Sequence, residues 1–345
     1  MGLSYGRVAW AGIAGSVLLA GWLGCGEAGP GHAAPRPADA NPSSTDAAAP
    51  GPAAVGQVIV VAMENEDIGE IYGDDTDAPY LNLTLVPGYA HATEFVDELG
   101  QSVPSEPHYV WLEAGTNAFA DHTFTTDDAP SAHNSTASTA HLTAQMAAAG
   151  LDWTAYQEGL DAATGSCPVA GAGFYAPKHD PFVFFQDLAG SPPAKTAAAC
   201  AAHMKDLSAL PADLAAGALA RYVFITPDLC HDMHGASACP DHDLVKSGDD
   251  WLALNLPPLI AYADAHAGVV FLVWDEGDPS GHLPFLALGA VVKPGYAGAQ
   301  RYTHSSVLKT TEEILGLPPL PTVAAAPDLG DLFRPGALPA AMPPR

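Results

Sequence analysis

Val58-Ile59-Val60-Val61-Ala62-Met63, followed at once by Glu64-Asn65-Glu66-Asp67, is the stretch that decides the fold. An apolar run with no polar alternation fits a strand buried on both faces, as in a mainly parallel sheet. Similar runs recur at 222–226, 269–274 and 285–292. Between them lie helical patterns at 138–149 closed by Gly150, at 251–266, and at 306–315 closed by Gly316 and Pro318. Strands alternating with helices predict an α/β fold: a mainly parallel central sheet with helices on both faces.

Working outward, the catalytic domain is expected over 55–320. Residues 321–345, rich in Pro and Ala, read as a tail that wraps the surface or frays. Residues 26–54 are Ala, Pro, Gly, Ser and Asp without apolar periodicity, which is the composition of a flexible linker. Residues 1–25 read as an export signal: Arg7 precedes an apolar run over 8–23 that is too short to favour a permanent membrane span. Leu23-Gly24-Cys25 closes it, and Cys25 stands where a bacterial lipobox places its acylated cysteine, although Trp22 is unusual there. The expectation is an exported cell-envelope lipoprotein, periplasmic or at the cell surface and held to a membrane by its N-terminal lipid. Plain cleavage and an uncleaved anchor are the alternatives. No internal repeat is visible.

Cys167, Cys200, Cys230 and Cys239 are even in number, as export into an oxidising compartment requires. Of three possible pairings, Cys167–Cys200 with Cys230–Cys239 is the most local. A four-cysteine zinc site lacks the Cys-x-x-Cys spacing. The formal charge of −27 excludes nucleic acid as a general partner. A phosphate-bearing substrate would need a metal ion and a few local donors to overcome that field.

Ligands of open α/β sheets bind beyond the carboxyl ends of the strands. Glu64 and Asn65 follow the first apolar run; Asp228, His231, Asp232 and His234 follow 222–226; Asp275, Glu276 and Asp278, with His282 beyond, follow 269–274. A single acid in a loop is ordinarily surface. Acids abutting buried strands need a cation or several donors, and a divalent metal bound by oxygens answers that need. Ser105, in Pro104-Ser105-Glu106-Pro107-His108-Tyr109, is the candidate nucleophile, because a helix starting near His108 would aim its free amides at an anion held there. The plainer reading makes Ser105 a helix N-cap. His304, ahead of a helix, and the adjacent Lys178 and His179 are candidate contacts to a substrate anion, with His108 and His282 beside them.

The ordered combination of these motifs resembles the phosphoesterases of bacterial acid phosphatase and phospholipase C type, within the alkaline phosphatase superfamily. Met63-Glu64-Asn65, Pro104-Ser105-x-Pro107-x-Tyr109 and Pro177-Lys178-His179-x-Pro181-Phe182 carry it in the first half. Thr226-Pro227-Asp228 with Asp232-Met233-His234, Gly248-Asp249-x-Trp251-Leu252, Trp274-Asp275-Glu276-Gly277-Asp278 and Tyr302-Thr303-His304 carry it in the second. The resemblance spans about 58–318. It implies an alkaline-phosphatase-like fold, with Glu64, Asn65, Asp275 and Glu276 as metal ligands and Ser105 as nucleophile and metal contact. It also implies that His234, and His231 less surely, face the leaving group, oriented by Asp228 and Asp232. His108 and His231 stand where that family commonly carries Asn, which puts a titratable group in place of a neutral one.

Chemically this implies metal-activated attack by Ser105 and a phosphoserine hydrolysed by water. Oxygen ligands with Asn suit Mg²⁺, Ca²⁺ or Mn²⁺; added histidines would admit Zn²⁺ or Fe. The preferred activity is phosphomonoester hydrolysis of acid phosphatase type, on small phosphate esters or phosphoinositide-like headgroups. A phospholipase C-like diesterase is the nearest rival. A sulfatase would need Arg where Tyr109 stands, and a non-catalytic metal- or phosphate-binding lipoprotein would be expected to lack a nucleophile or ligand that this chain retains.

Overall fold

The computed structural model describes residues 54–340 except 101, 161–164 and 278–279. Cys25, the linker over 26–53 and Asp278 therefore lie outside the described residues. All that follows concerns the unit Ala49–Arg345.

The described residues form ten short to medium strands: β1 Gln57–Met63, β2 Ala90–Ala92, β3 Phe95–Val96, β4 Trp153–Gln157, β5 Met204–Asp206, β6 Tyr222–Thr226, β7 Gly268–Trp274, β8 His282–Leu283, β9 Phe285–Leu288 and β10 Ala297–Gly298. Eight of them form one sheet in the order β10-β2-β9-β7-β1-β6-β4-β5, while β3 and β8 pair separately. From β7 through β5 every pairing is parallel; β9 runs antiparallel to β7 and to β2. The run at 285–292 thus stops early, at Gly289, whose φ of 125° ends the extended pattern.

Both faces of β1, β6 and β7 are covered, and all of their residues are buried. This is why they carry no polar alternation. The register matters for function. Met63 pairs with Trp274 and Val61 with Ile225, so the residues after β1, β6 and β7 emerge side by side on one edge.

Two of the three expected helices start earlier than periodicity suggested, and the one expected from 138 starts later, at Leu142. The long one is Leu244–Ala265, capped by Asp243 accepting from the Lys246 amide, and it tolerates Pro257 and Pro258 inside. The others are Leu142–Ala149, ended by left-handed Gly150, and His304–Ile314. The segment read as a tail is part of the domain as far as it is described. Val323, Leu329, Leu332, Phe333 and Ala337 are buried, and the Val55 amide donates to the Ala337 carbonyl. Proline and alanine hid these anchors because they recur without a helical or strand period. Disulfides join Cys167 to Cys200 and Cys230 to Cys239, the most local pairing. Among the described residues no helix is long and apolar enough to cross a membrane.

Candidate active site

Ser105 opens the helix Ser105–Ala114, and the N-cap is Pro104 in extended conformation. Ser105 is therefore the first helical residue, which sets aside the N-cap reading. Pro107 sits in the first turn, where a missing amide proton costs nothing. Left-handed Gly115 closes the helix (φ 63°), and a Cβ there would come within 2.2 Å of Val323 Cγ1. Tyr109, Val110 and Leu112 are buried, so packing locks the helix that presents Ser105.

Parallel register then brings the acids to it. The Asp275 amide donates to the Met63 carbonyl at 3.0 Å, continuing the β1–β7 ladder by one step and placing Glu64 beside Asp275 and Glu276. The Asn65 amide donates to Asp275 Oδ1 at 3.3 Å from a left-handed backbone, φ 56°, which turns the chain sharply away from the strand. Ser105 Oγ lies 3.0 Å from Glu64 Oε2 and 3.0 Å from Glu276 Oε1. A hydroxyl has one proton, so it cannot satisfy both carboxylates as a donor. Either a carboxyl proton or a cation must complete the contact.

The electrostatics point the same way. Burial pushes the Glu64 and Asp275 carboxyls up, with Asp232 adding to the rise of Glu64 and Glu64 to that of Asp275; burial, with Glu64 beside it, lifts Glu276 to about 7. Glu64 Oε1 and Asp275 Oδ2 are fully buried without a hydrogen-bond partner. Orphaned buried carboxylate oxygens are the atoms a divalent cation satisfies.

Two side chains bring nitrogen to the nucleophile and its carboxylates. Lys178 Nζ is 3.5 Å from Ser105 Oγ, 3.0 Å from His234 Nε2 and 2.8 Å from Asp127 Oδ2. His179 lies on the other side, its Nδ1 3.1 Å from Asp232 Oδ2 and its Nε2 3.1 Å from Glu64 Oε1. The second approach lacks hydrogen-bond alignment, since both atoms remain unpartnered, so it is a close contact and not a bond. Burial holds His179 down to about 4, hence neutral, while burial and repulsion lift Asp232 to about 8. Glu64, His179 and His234 converge as one group able to hold a metal; His108, Asp275 and Glu276 come equally close together, but both ring nitrogens of His108 are hydrogen-bonded.

Several expected site residues are placed elsewhere. His231 binds Glu158 Oε2 at 3.0 Å and sits 3.1 Å from Asp228 Oδ1, and these two carboxylates raise it to about 10. Among the described contacts neither His231 nor Asp228 touches Ser105, whereas His234, the residue the resemblance set first toward the leaving group, meets Lys178 beside Ser105. His282 pairs with Glu94 at 3.5 Å on an exposed edge, because β8 belongs to the separate two-stranded sheet. His304 is buried and its Nε2 donates to the Trp274 carbonyl at 2.8 Å; it braces the backbone before Asp275 and turns that nitrogen away from substrate. Both nitrogens of His108 are taken, by the Pro104 carbonyl and Asp97 Oδ1 at 3.0 Å each. Two acceptors make it an imidazolium strut and not a substrate donor.

Asp127, Asp97 and Glu158 were not legible in the sequence. Glu158 follows β4, whose Thr154 and Gln157 dilute the apolar run; once that strand is seen, the acid-after-strand rule finds it. Asp127 lies in an irregular stretch with no periodic signal.

A serine at a helix N-terminus, held between carboxylates at the carboxyl edge of a parallel sheet and faced by Lys and His, belongs to hydrolases of phosphoric esters with the alkaline phosphatase superfamily fold. The chain is a member of the Phosphoesterase family, whose profile matches residues 83–318. It is 29% identical over 278 residues to a phosphatidylinositol-3-phosphatase of Mycobacterium tuberculosis, covering 80% of this chain and 82% of that one. It is 28% identical over 180 residues to a phosphate-repressible acid phosphatase of Penicillium chrysogenum, covering 49% of this chain and 40% of the other. Among solved structures, murine ectonucleotide pyrophosphatase/phosphodiesterase 5 superposes with a TM-score of 0.50 at 12% identity, over 81% of this chain and all of that chain; this likeness concerns the fold.

Proposed function

We propose that the protein is an exported, metal-dependent phosphomonoesterase, tethered to a membrane by lipid on Cys25 and acting through a phosphoserine at Ser105. The observation that carries the reading is Ser105 Oγ, held 3.0 Å from both Glu64 and Glu276 with Lys178 3.5 Å away. The resemblance to a phosphatidylinositol-3-phosphatase supports phosphoinositide-like monoesters as substrates.

The donor set fits a divalent cation. Glu64, Asp275 and Glu276, with Asn65 and Ser105, would hold it, and the orphaned oxygens of Glu64 and Asp275 are the reason. When bound, it would neutralise phosphoryl oxygens and acidify the serine hydroxyl. The side chains supply the rest. Ser105 Oγ gives its proton to a neighbouring carboxylate and attacks phosphorus in line; the ester oxygen leaves. The Lys178–His234 pair, Nζ to Nε2 at 3.0 Å, gives a proton to the departing alkoxide. Water then attacks the phosphoserine, returns a proton to the pair and releases phosphate, while Ser105 recovers its own. General acid–base help of this kind is worth roughly 10²–10⁴ in rate. Lys178 also steadies a phosphoryl oxygen.

The test is hydrolysis of p-nitrophenyl phosphate against bis-p-nitrophenyl phosphate, with and without chelator, by wild type and Ser105→Ala. Monoester cleavage that chelator removes, added metal restores and Ser105→Ala abolishes is the expected result. A preference for the diester would replace the reading with a phospholipase C-like one. For the anchor, Cys25→Ala should move the protein from the membrane to the soluble fraction of producing cells, and an unchanged membrane fraction would overturn it.

A further inference from the structure

The segments that supply the nucleophile and the lysine meet at a carboxylate belonging to neither. Asp127 lies in the irregular stretch between the helices Ser105–Ala114 and Leu142–Ala149. Its Oδ1 accepts the Glu106 amide at 3.1 Å, the peptide next to Ser105. Its Oδ2 accepts Lys178 Nζ at 2.8 Å. One side chain therefore fixes the lysine in register with the first turn of the nucleophile's helix.

An ammonium has three protons. On Lys178 one goes to Asp127, one to His234 Nε2 at 3.0 Å, and the third direction leads to Ser105 Oγ, at 3.5 Å the longest and least committed contact. His234 Nδ1 donates to the Gly235 carbonyl at 2.8 Å, which leaves its Nε2 free to accept from the lysine. Without Asp127 the four-carbon stem of Lys178 would be free to sample other rotamers, with only an imidazole to hold it. Lys178 is 16% exposed and Asp127 37% exposed, so the pair sits at the mouth of the site, where water would compete for a loose ammonium.

We propose that Asp127 is a positioning residue: it holds Lys178 over Ser105, so that an incoming phosphoryl group meets a preset donor. The inference rests on the reading of Ser105 as a phosphoryl-accepting nucleophile.

The test is a double-mutant cycle in the full-length protein: wild type, Asp127→Asn, Lys178→Met and the double variant. The readouts are kcat/KM for p-nitrophenyl phosphate, the dissociation constant of inorganic phosphate by calorimetry, and the thermal midpoint. Asp127→Asn should weaken phosphate binding and lower kcat/KM on the order of 10-fold, the factor expected for ordering one rotamer-rich side chain. In the Lys178→Met background the second change should add almost nothing, because its effect passes through the lysine. Asp127→Glu, which keeps the charge but moves it by one methylene, should lose activity in the same direction with the midpoint unchanged. Tighter phosphate binding by Asp127→Asn would make Asp127 a competitor and overturn the proposal; so would losses that multiply in the double variant. If wild type binds phosphate but cleaves neither ester, the hydrolase reading fails, and the phosphate cycle still decides Asp127. Absence of both binding and turnover in wild type overturns both.

Discussion

His108 shows how a residue type can mislead about its role. In sequence it is a titratable donor beside the nucleophile; in the structure it is a buried strut between the Pro104 carbonyl and Asp97, four residues from the proline and eleven from the acid. Burial alone would lower its pKa, but the bond to Asp97 and the nearby Glu276 outweigh it and raise it. Asn in its place can satisfy only one of the two acceptors with comparable reach. His108→Asn is expected to destabilise the fold by about 1–3 kcal/mol, the cost of leaving a buried acceptor unpaired, while KM for p-nitrophenyl phosphate stays near the wild-type value. Chemical denaturation beside steady-state kinetics checks this, and a large KM change with intact stability would make His108 a substrate contact after all.

At the scale of elements, the loop between β6 and the helix Leu244–Ala265 is clamped from two sides. The Cys230–Cys239 disulfide closes it, and the Glu64 amide donates to the Asp232 carbonyl at 2.8 Å, tying it to the end of β1. Met233 adopts a left-handed backbone, φ 81°, and packs on Gly248 so closely that a Cβ there would lie 2.4 Å from Met233 Cγ. Its neighbour Asp249 accepts the Tyr80 and Leu81 amides at 2.8 Å, binding the same helix to the segment Leu81–Leu85. The Gly248-Asp249 motif thus serves packing, one step removed from catalysis. Gly248→Ala should cost about 1–3 kcal/mol by overpacking. Because Met233 adjoins His234, kcat should fall as well. A thermal melt and a kcat measurement decide it; an unchanged kcat would mean that the loop absorbs the shift without moving His234.

Across the whole molecule, His141 joins three elements. It caps the helix Leu142–Ala149, its Nδ1 lies 3.0 Å from Glu113 Oε1 in the last turn of the nucleophile's helix, and its Nε2 lies 3.2 Å from both oxygens of Asp187. Burial by itself would lower its pKa, but the bonds to Asp187 and Glu113 win and raise it to about 9. A raised folded-state pKa means the charged form is favoured by folding. The contribution is complete below about pH 6.5, the unfolded value, and is lost as pH rises through about 9. Its full size is on the order of 3 kcal/mol. Melting midpoints of wild type should therefore fall by several degrees between pH 6 and pH 9.5, and the slope should flatten in His141→Gln; parallel curves for the two proteins would refute the assignment.

Linear order alone carries the class of fold, the three central strands and the acids that follow them. A strand buried on both faces must be apolar throughout, and a carboxylate at its end must find a partner, so both leave marks in linear order. It also offered the local cysteine pairing as one of three, which the structure selects, and Ser105 as the candidate nucleophile. Only the tertiary structure decided the outcome among the histidines. Which imidazole joins Lys178 near Ser105 depends on strand register and loop closure, which place His234 beside Lys178 and turn His231 toward Glu158. The packing of the residues after 320 and the bridge made by Asp127 were likewise invisible in the sequence. Neither leaves a period, since each depends on a few contacts between segments far apart in the chain.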